Sequence, residues 1–341
     1  MKELYIIVNE KIYNRKNYFF CENKDIQSII NYFTLKYNLF IFSRYSKFIK
    51  PFKINKCYEV LNFKFLKLLY IFFFFFNLKK NKKKILIISI TPFNFFIFLI
   101  FKFFFDCKFY VYLRSNGHEE YENILGRKYI WIYDSMFKYI TKCSEVISCH
   151  KRLYKKKCHI LYPSELNSNW TKNIKKNYFK NNVIRVLYVG RFKVEKGIYS
   201  LLDIFSQLPK NIELTLAGNG DAIKTINEKI KVINFVNNED RLINLYDSCN
   251  IIILPSYTEA HPKVIDEALS RMRPVIVFDD IKYVVNNRHG VFSVTRDSKK
   301  LIELINFIKK NNTSINSSFK KNTLPKKEVF LKDLYRIVSV A

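Results

Sequence analysis

From Val183 to Phe278, short runs rich in β-branched residues alternate with longer stretches of helical periodicity. "VIRVLYVG" is followed by "IYSLLDIFSQL", "IELTLAG" by "AIKTINEKI", "VINFV" by "DRLINLYDSC" and "NIIILPS" by "PKVIDEALSRM", and the series closes on "PVIVF". Short apolar runs are strands buried on both faces, and strands joined through helices pair in parallel. The arrangement that satisfies such a series is a doubly wound α/β sheet. Ligands of these sheets sit outside the carboxyl ends of the strands, beside helix N-termini. The strand-to-helix loops are therefore where chemistry is expected.

The first half of the chain carries the same signal less regularly. "KILIISI" reads as a buried strand, "FNFFIFLIFKFFF" as a helix and "KFYVYLRS" as a second strand, which together make a βαβ unit. Ile85 to Phe105 is also long enough for a bilayer span, for which about 20 apolar residues suffice. Pro92 and Asn94 interrupt it and the pattern changes at "TP", so an interior crossover helix is the preferred reading. Just upstream, "FKFLKLLYIFFFFFNLKKNKKK" is aromatic, apolar and basic. It fits a core helix or a face that lies on a membrane. "SEVISCH" and "CHILYP" read as two further short strands, and the polar, aperiodic "SELNSNWTKNIKKNYFKNN" as the linker. The expected organisation is a first domain over 1–165, a linker over 166–182, a second domain over 183–315 and a tail over 316–341. In that tail "KKEVFLKDLYRIVSVA" is an amphipathic helix that needs a surface to pack on, such as the first domain.

The chain has 59 Lys and Arg against 29 Asp and Glu, a formal net charge of +30. That balance favours anionic partners: phosphorylated metabolites, nucleic acid or an anionic membrane surface. Abundant Lys, Asn, Ile, Phe and Tyr with only 7 Gly and 8 Pro point to compositional drift as the main source of the excess. The basic residues are diffuse and no nucleic-acid recognition motif accompanies them, so nucleic acid is not an expected partner. The seven cysteines (Cys21, Cys57, Cys107, Cys143, Cys149, Cys158 and Cys249) form no Cys-x-x-Cys pair, and neither a disulfide framework nor a zinc site is expected. "MKELYIIVNEKIYNRKNYFF" lacks signal-peptide architecture. The expected location is cytoplasmic, peripheral on the inner face of the cell membrane through basic and aromatic surface in residues 58–108.

Three strand-end loops carry candidate chemistry. "VGRFKVEKG" places Gly190, Arg191, Lys196 and Gly197 between a strand and a helix. Two cations, backbone N–H groups and a helix dipole suit a phosphate or diphosphate, although a solvated basic turn has the same composition. "LAGNGD", with Gly218, Gly220 and Asp221, allows a tight turn or a close ligand approach. "PSYTEAHPKVIDEALSRMRPVI" sets Glu259 in a loop and Glu267 eight positions later on the helix that Pro262 begins. Val264, Ile265, Ala268 and Leu269 form the buried stripe of that helix, and Glu267 falls between stripe positions. A half-buried carboxylate needs donors, which ribose or sugar hydroxyls supply. Read alone, Glu259 is a helix cap and Glu267 a solvated face residue. The isolated Asp279 and Asp280 make no metal site.

Together, "GRFKVEKG", "AGNGD" and "PSYTEAHPKVIDEALSRMRPVI" resemble, in order and spacing, the C-terminal domain of the retaining glycosyltransferases of family 4, over roughly Val183 to Val294. The resemblance implies a GT-B fold: α/β, two Rossmann-like domains with parallel sheets facing across a cleft, the first on the acceptor side. It implies transfer of a sugar from a nucleotide diphosphate-sugar to a hydroxyl of a surface polysaccharide or lipid-linked glycan, with no metal and no cofactor beyond the donor. Arg191 and Lys196 then hold the diphosphate, with Gly190 beside them, and Glu267 bonds the ribose. Glu259 and the backbone of Ala260, His261, Pro262, Lys263 and Val264 meet the donor sugar. The catalytic set implied is Glu259, Arg191 and Lys196. On the acceptor side "LRSNGHEEY" offers Asn116, Gly117 and His118, for which a turn with a solvated histidine is the competing reading. The family commonly has glycine at the positions of Ala260 and Met272 and a glycine-rich loop after the first strand, where this chain reads "IIVNEKIYNRKN". A non-catalytic scaffold of the same fold, binding nucleotide or membrane, is the alternative.

Overall fold

Leu4 to Val8 is an unbroken run of large apolar residues, and all five are buried at the centre of the first sheet. They form the first half of β1 (Glu3–Arg15). The computed structural model describes residues 2–15, 18–55, 59–63, 82–175, 179, 182–220, 228–234 and 236–340. They divide into a unit of Met1–Glu165 with Lys327–Ala341 and a unit of Leu166–Lys326.

In the first unit β1 lies between β3 (Asn38–Tyr45) and β6 (Lys83–Ile88), parallel to both. β5 (Glu59–Phe63) extends the sheet beyond β3, and β7 (Cys107–Leu113), β8 (Ser144–Ser148) and β9 (His159–Ile160) extend it beyond β6. After a register shift between Ile7 and Lys11, β1 runs on and pairs antiparallel with β2 (Tyr18–Cys21), which pairs with β4 (Phe52–Ile54). α1 (Lys24–Thr34) follows that hairpin. The stretch Ile85 to Phe105 is divided at its "TP" between β6 and α2 (Pro92–Phe104). The Thr91 hydroxyl accepts from the Asn94 N–H at 3.3 Å, and the buried Asn94 amide donates to the carbonyls of Ile88 (2.9 Å) and Ser89 (2.8 Å). These bonds close the strand-to-helix corner. A helix of 13 residues is about 20 Å long against a hydrocarbon core of about 30 Å. Among the described residues no helix is long and apolar enough to cross a membrane. The basic aromatic run at 64–81 lies outside the described residues.

α3 (Gly117–Leu125) and α4 (Ile130–Cys143) follow β7, and the C-terminal α10 (Lys327–Ser339) packs on this unit. α10 buries Phe330, Leu331, Leu334 and Val338, and its Tyr335 ring meets Tyr32, Phe33 and Tyr37. The Lys84 ammonium donates to the terminal carbonyls Val338 and Ser339 of that helix, a favourable charge for a helix C-terminus.

Among the described residues the second unit holds a six-stranded, all-parallel sheet. β10 (Ile184–Val189) leads through α5 (Ile198–Ser206) to β11 (Ile212–Gly218) and β12 (Ile230–Asn234) on one side. α6 (Glu239–Ser248) then carries the chain back across to β13 (Ile251–Leu254), which pairs with β10. α7 (Lys263–Ser270), β14 (Val275–Phe278) and β15 (Val291–Val294) continue on that side, followed by α8 (Ser298–Lys310) and α9 (Asn312–Ser318). The strand order therefore reverses between β10 and β13. The expected helix "AIKTINEKI" and Asp221 fall largely on 221–227, outside the described residues.

The domain boundaries differ from the expected ones. Residues 166–175, expected as linker, belong to the second unit. Trp170 is buried against Tyr246, and the buried Arg271 donates to the carbonyls of Trp170, Lys172 and Asn173 while forking onto Asp247. Arg273 reaches the Lys175 carbonyl at 3.0 Å. Main-chain carbonyls, not apolar periodicity, fix this segment. Residues 316–326 also stay with the second unit, and the chain returns to the first at Lys327, whose ammonium lies 2.9 Å from the Glu165 carboxylate.

Candidate active site

The loops that follow β10 and β13 meet where the strand order reverses, the place where open α/β sheets bind ligands. The β10 loop is shaped by its backbone. The Tyr188 hydroxyl donates to the Arg191 carbonyl at 2.7 Å, and the Phe192 N–H donates to the Asn219 carbonyl at 2.7 Å. A single 3-10 turn, Val194–Lys196, ends at Gly197, which has φ of 68°. A Cβ on Gly197 would sit 2.0 Å from the Pro255 carbonyl oxygen. Only glycine lets the β10 loop rest directly on the end of β13.

That contact brings Lys196 to Glu259. The Lys196 ammonium lies 2.5 Å from Glu259 Oε1, and the Ser256 hydroxyl donates to the same oxygen at 2.7 Å. Their side chains are 20% and 12% exposed, so the pair is largely sheltered. The Tyr283 hydroxyl accepts from the Glu259 N–H at 3.1 Å and donates to the Glu259 carbonyl, clamping the main chain of the carboxylate. Beneath the corner, Arg296 donates to the Pro255 carbonyl (2.6 Å) and to Ser200 (3.1 Å), and its Nε lies 2.8 Å from Asp280. Its guanidinium stacks over the Tyr257 and Phe278 rings. Asp280 is thus a partner of Arg296.

Arg191 stands apart from this cluster. Its side chain is 60% exposed and its guanidinium lies 3.8 Å from the Glu195 carboxylate. Gly190 closes the strand with an N–H donated to the Ala217 carbonyl at 3.0 Å. Pro262 occupies the N-cap position, one residue before the helix start at Lys263. Glu267 lies part-buried on α7 and accepts from the Tyr246 hydroxyl at 2.7 Å. Burial and the Glu267 carboxylate hold that hydroxyl well above the usual tyrosine range, so it remains a donor. Ala260, at one of the family's glycine positions, has no positive φ. Met272, at the other, has φ of 54°.

Ser256, Tyr246, Tyr283 and Arg296 were not among the residues expected from the sequence. Only Ser256 lies inside the motif; the rest sit on other elements and have no local signal. The acceptor-side candidates lie in the first unit. Asn116 precedes α3, Gly117 opens it, and the Tyr133 ring occupies the space beside the Gly117 Cα. The His118 ring packs edge-on against Tyr133 and Phe137, with Nε2 3.6 Å from Asp134. A cavity of about 500 Å³ opens beyond β12, lined by Asn234, Asn237, Arg241 and Asn244 among others, and includes none of the expected donor residues.

Residues 170–324 match the family model described as Glycosyl transferases group 1. A putative teichuronic acid biosynthesis glycosyltransferase of Bacillus subtilis, TuaC, is 31% identical over 93 residues, which is 27% of this chain and 24% of that protein. The chain therefore covers about a quarter of the length of that relative. Among solved structures, a sucrose-phosphate synthase from Thermosynechococcus elongatus superposes with a TM-score of 0.71 at 15% identity, over 99% of this chain and 98% of that one. Anabaena Alr3699/HepE in complex with UDP-glucose superposes with a TM-score of 0.68 at 13% identity, over 99% and 100%. The fold is GT-B, built from two Rossmann-like units with sheets that are parallel in the main. The family match covers the unit that carries Lys196 and Glu259.

Proposed function

We propose that the chain is a glycosyltransferase that moves a sugar from a nucleotide diphosphate-sugar to a hydroxyl of a surface polysaccharide or lipid-linked glycan. The observation that carries this reading is the Lys196–Glu259–Ser256 cluster at the strand-order reversal of the second unit. A cation and a carboxylate at one point suit a ligand that is anionic at its diphosphate and rich in donors at its sugar. Lys196 and the exposed Arg191 take the diphosphate, Glu267 the ribose, and Glu259 with the loop from Ala260 to Val264 the sugar. Transfer develops negative charge on the leaving diphosphate, where preorganised cations lower the barrier most. With that charge met by side chains, the reaction is metal-independent in this reading. The family resemblance supports retention at the anomeric carbon, and the UDP-glucose complex of one structural neighbour supports a nucleotide-sugar donor.

The surface of the first unit supports this acceptor class. Phe96, Phe103 and Phe104 on α2 and Trp131 on α4 are exposed large apolar residues, and the exposed Lys102 and Lys138 lie on the same helices. Aromatic and basic groups together suit an anionic membrane face and hence an acceptor held there. A thermal-shift screen against nucleoside diphosphates and their sugars, followed by donor hydrolysis, tests the proposal. A ligand that binds only the folded state must raise its stability. Binding with turnover is expected; binding without turnover by any nucleotide sugar would favour a scaffold.

A further inference from the structure

Asp266 is a carboxylate that helix formation does not require to be buried. It lies in the first turn of α7 with its side chain 3% exposed. Its Oδ2 is 2.7 Å from His261 Nε2, and its Oδ1 is 3.2 Å from a guanidinium nitrogen of Arg288. Arg288 also donates to the Val284 carbonyl at 3.2 Å. The His261 side chain is 5% exposed in the loop that leaves β13. A second tie reaches that loop from the same segment, through the Tyr283 hydroxyl on the Glu259 main chain. Residues 283–288, in the connection between β14 and β15, thus grip the Glu259–Pro262 loop at both its ends.

An acidic residue in a first turn favours the helix dipole equally well when exposed. Burying it costs solvation that a cation or imidazole offsets only in good geometry, and an apolar residue of similar volume often serves stability as well. A chain of directional bonds does fix the course of a main chain, which apolar packing does poorly. We propose that Tyr283 and the Arg288–Asp266–His261 chain are positioning residues that hold the Glu259–Pro262 loop in the orientation the donor sugar requires. The diphosphate contacts are set chiefly by the β10 loop and its seat on Pro255, and reach these residues only through the Lys196–Glu259 pair. This inference rests on the donor-site reading above.

Tyr283→Phe and Asp266→Asn remove one hydroxyl and one charge with almost no change in volume. Each variant and the parent chain are titrated calorimetrically with UDP, then with the guanosine, adenosine and thymidine diphosphates, and assayed for turnover of the corresponding sugars. Turnover should fall roughly 10- to 100-fold, because a displacement of about 1 Å at a reacting group suffices for that. Diphosphate affinity should stay within about twofold, the scatter of substitutions away from a contact. Arg288→Lys, which keeps a cation beside Asp266, should lose less turnover than Arg288→Met. Parental turnover in all the variants overturns the proposal. So does a parallel loss of diphosphate affinity and melting temperature, the signature of a merely structural role. A parent chain that binds none of the diphosphates overturns the donor-site reading, and the proposal falls with it.

Discussion

Replacing Lys196 by alanine perturbs the site at its centre. A charge-assisted bond to a phosphate oxygen contributes about 1.5–3 kcal/mol, which is roughly 10- to 150-fold in nucleoside diphosphate affinity. The structure places Lys196 near the upper end. Its side chain is only 20% exposed, and its loss leaves the Glu259 carboxylate, 12% exposed, facing the phosphates with no cation between. A loss of about 100-fold is expected. Arg191 is 60% exposed and correspondingly screened, so Arg191→Ala should cost about 10-fold. Glu259→Gln frees the Lys196 ammonium from its 2.5 Å partner. In the parent background it should tighten diphosphate binding a few-fold while transfer falls at least about 100-fold with folding intact. In the Lys196→Ala background it should restore part of the lost affinity, giving a measurable coupling between the two sites. Calorimetric titration with nucleoside, monophosphate and diphosphate reads the affinities, and a transfer assay reads the rate. Equal losses for the three ligands, or strictly additive effects of the two substitutions, would refute the reasoning.

Gly197→Ala should destabilise the protein by about 2–3 kcal/mol, since φ is 68° and the new Cβ would meet the Pro255 carbonyl at 2.0 Å; urea unfolding checks it. Arg271→Met removes the fork on the buried Asp247 carboxylate, leaving Arg273 at 3.8 Å as its remaining cation, and uncouples residues 170–173, at about 3 kcal/mol by the same measurement. Carbonate or high-salt washing should release the protein from membranes, because Ile85 to Phe105 is divided between a strand and a helix of 13 residues; retention through both washes would contradict that division.

In the second unit β13 and β14 were legible because both are buried on both faces and so are apolar throughout. Ile251–Leu254 and Val275–Phe278 announce themselves without help from any other segment. The same holds for α2, which Pro92 and the Thr91 cap delimit locally, and for the apolar stripe of α10. The hairpin that prolongs β1 was not legible. It is built from "KIYNR" and "YFFC", one polar and one short, and its pairing becomes antiparallel only after a register shift. The contacts of the segment expected as linker were illegible for a different reason. "SNWTKN" is polar and aperiodic, yet its carbonyls are held by Arg271 and Arg273 from about a hundred residues away. Bonds from a distant side chain to a main chain leave no pattern in the segment that receives them.

The same distinction runs through the site. Lys196, Glu259 and Glu267 sit in two short loops and one helix, so the motifs that carry the family resemblance bring them into view. Tyr246, Tyr283, Arg288 and Arg296 come from three other elements, and their relevance exists only once the sheet has assembled. The two departures from the family's glycines also separate on physical grounds. Ala260 has an ordinary φ, so a Cβ there strains nothing. Met272 has φ of 54° at the end of α7, where the Arg273 N–H donates to the Ala268 carbonyl at 2.9 Å and the Met272 N–H to Leu269 at 3.1 Å. That is a Schellman ending, whose left-handed residue is usually glycine and costs about 1–2 kcal/mol as anything else. Packing of the Met272 side chain against the core of the second unit offsets part of that cost. The strain therefore lies at the far end of the helix from the Glu259 loop, and the charged groups of the site keep their geometry despite it.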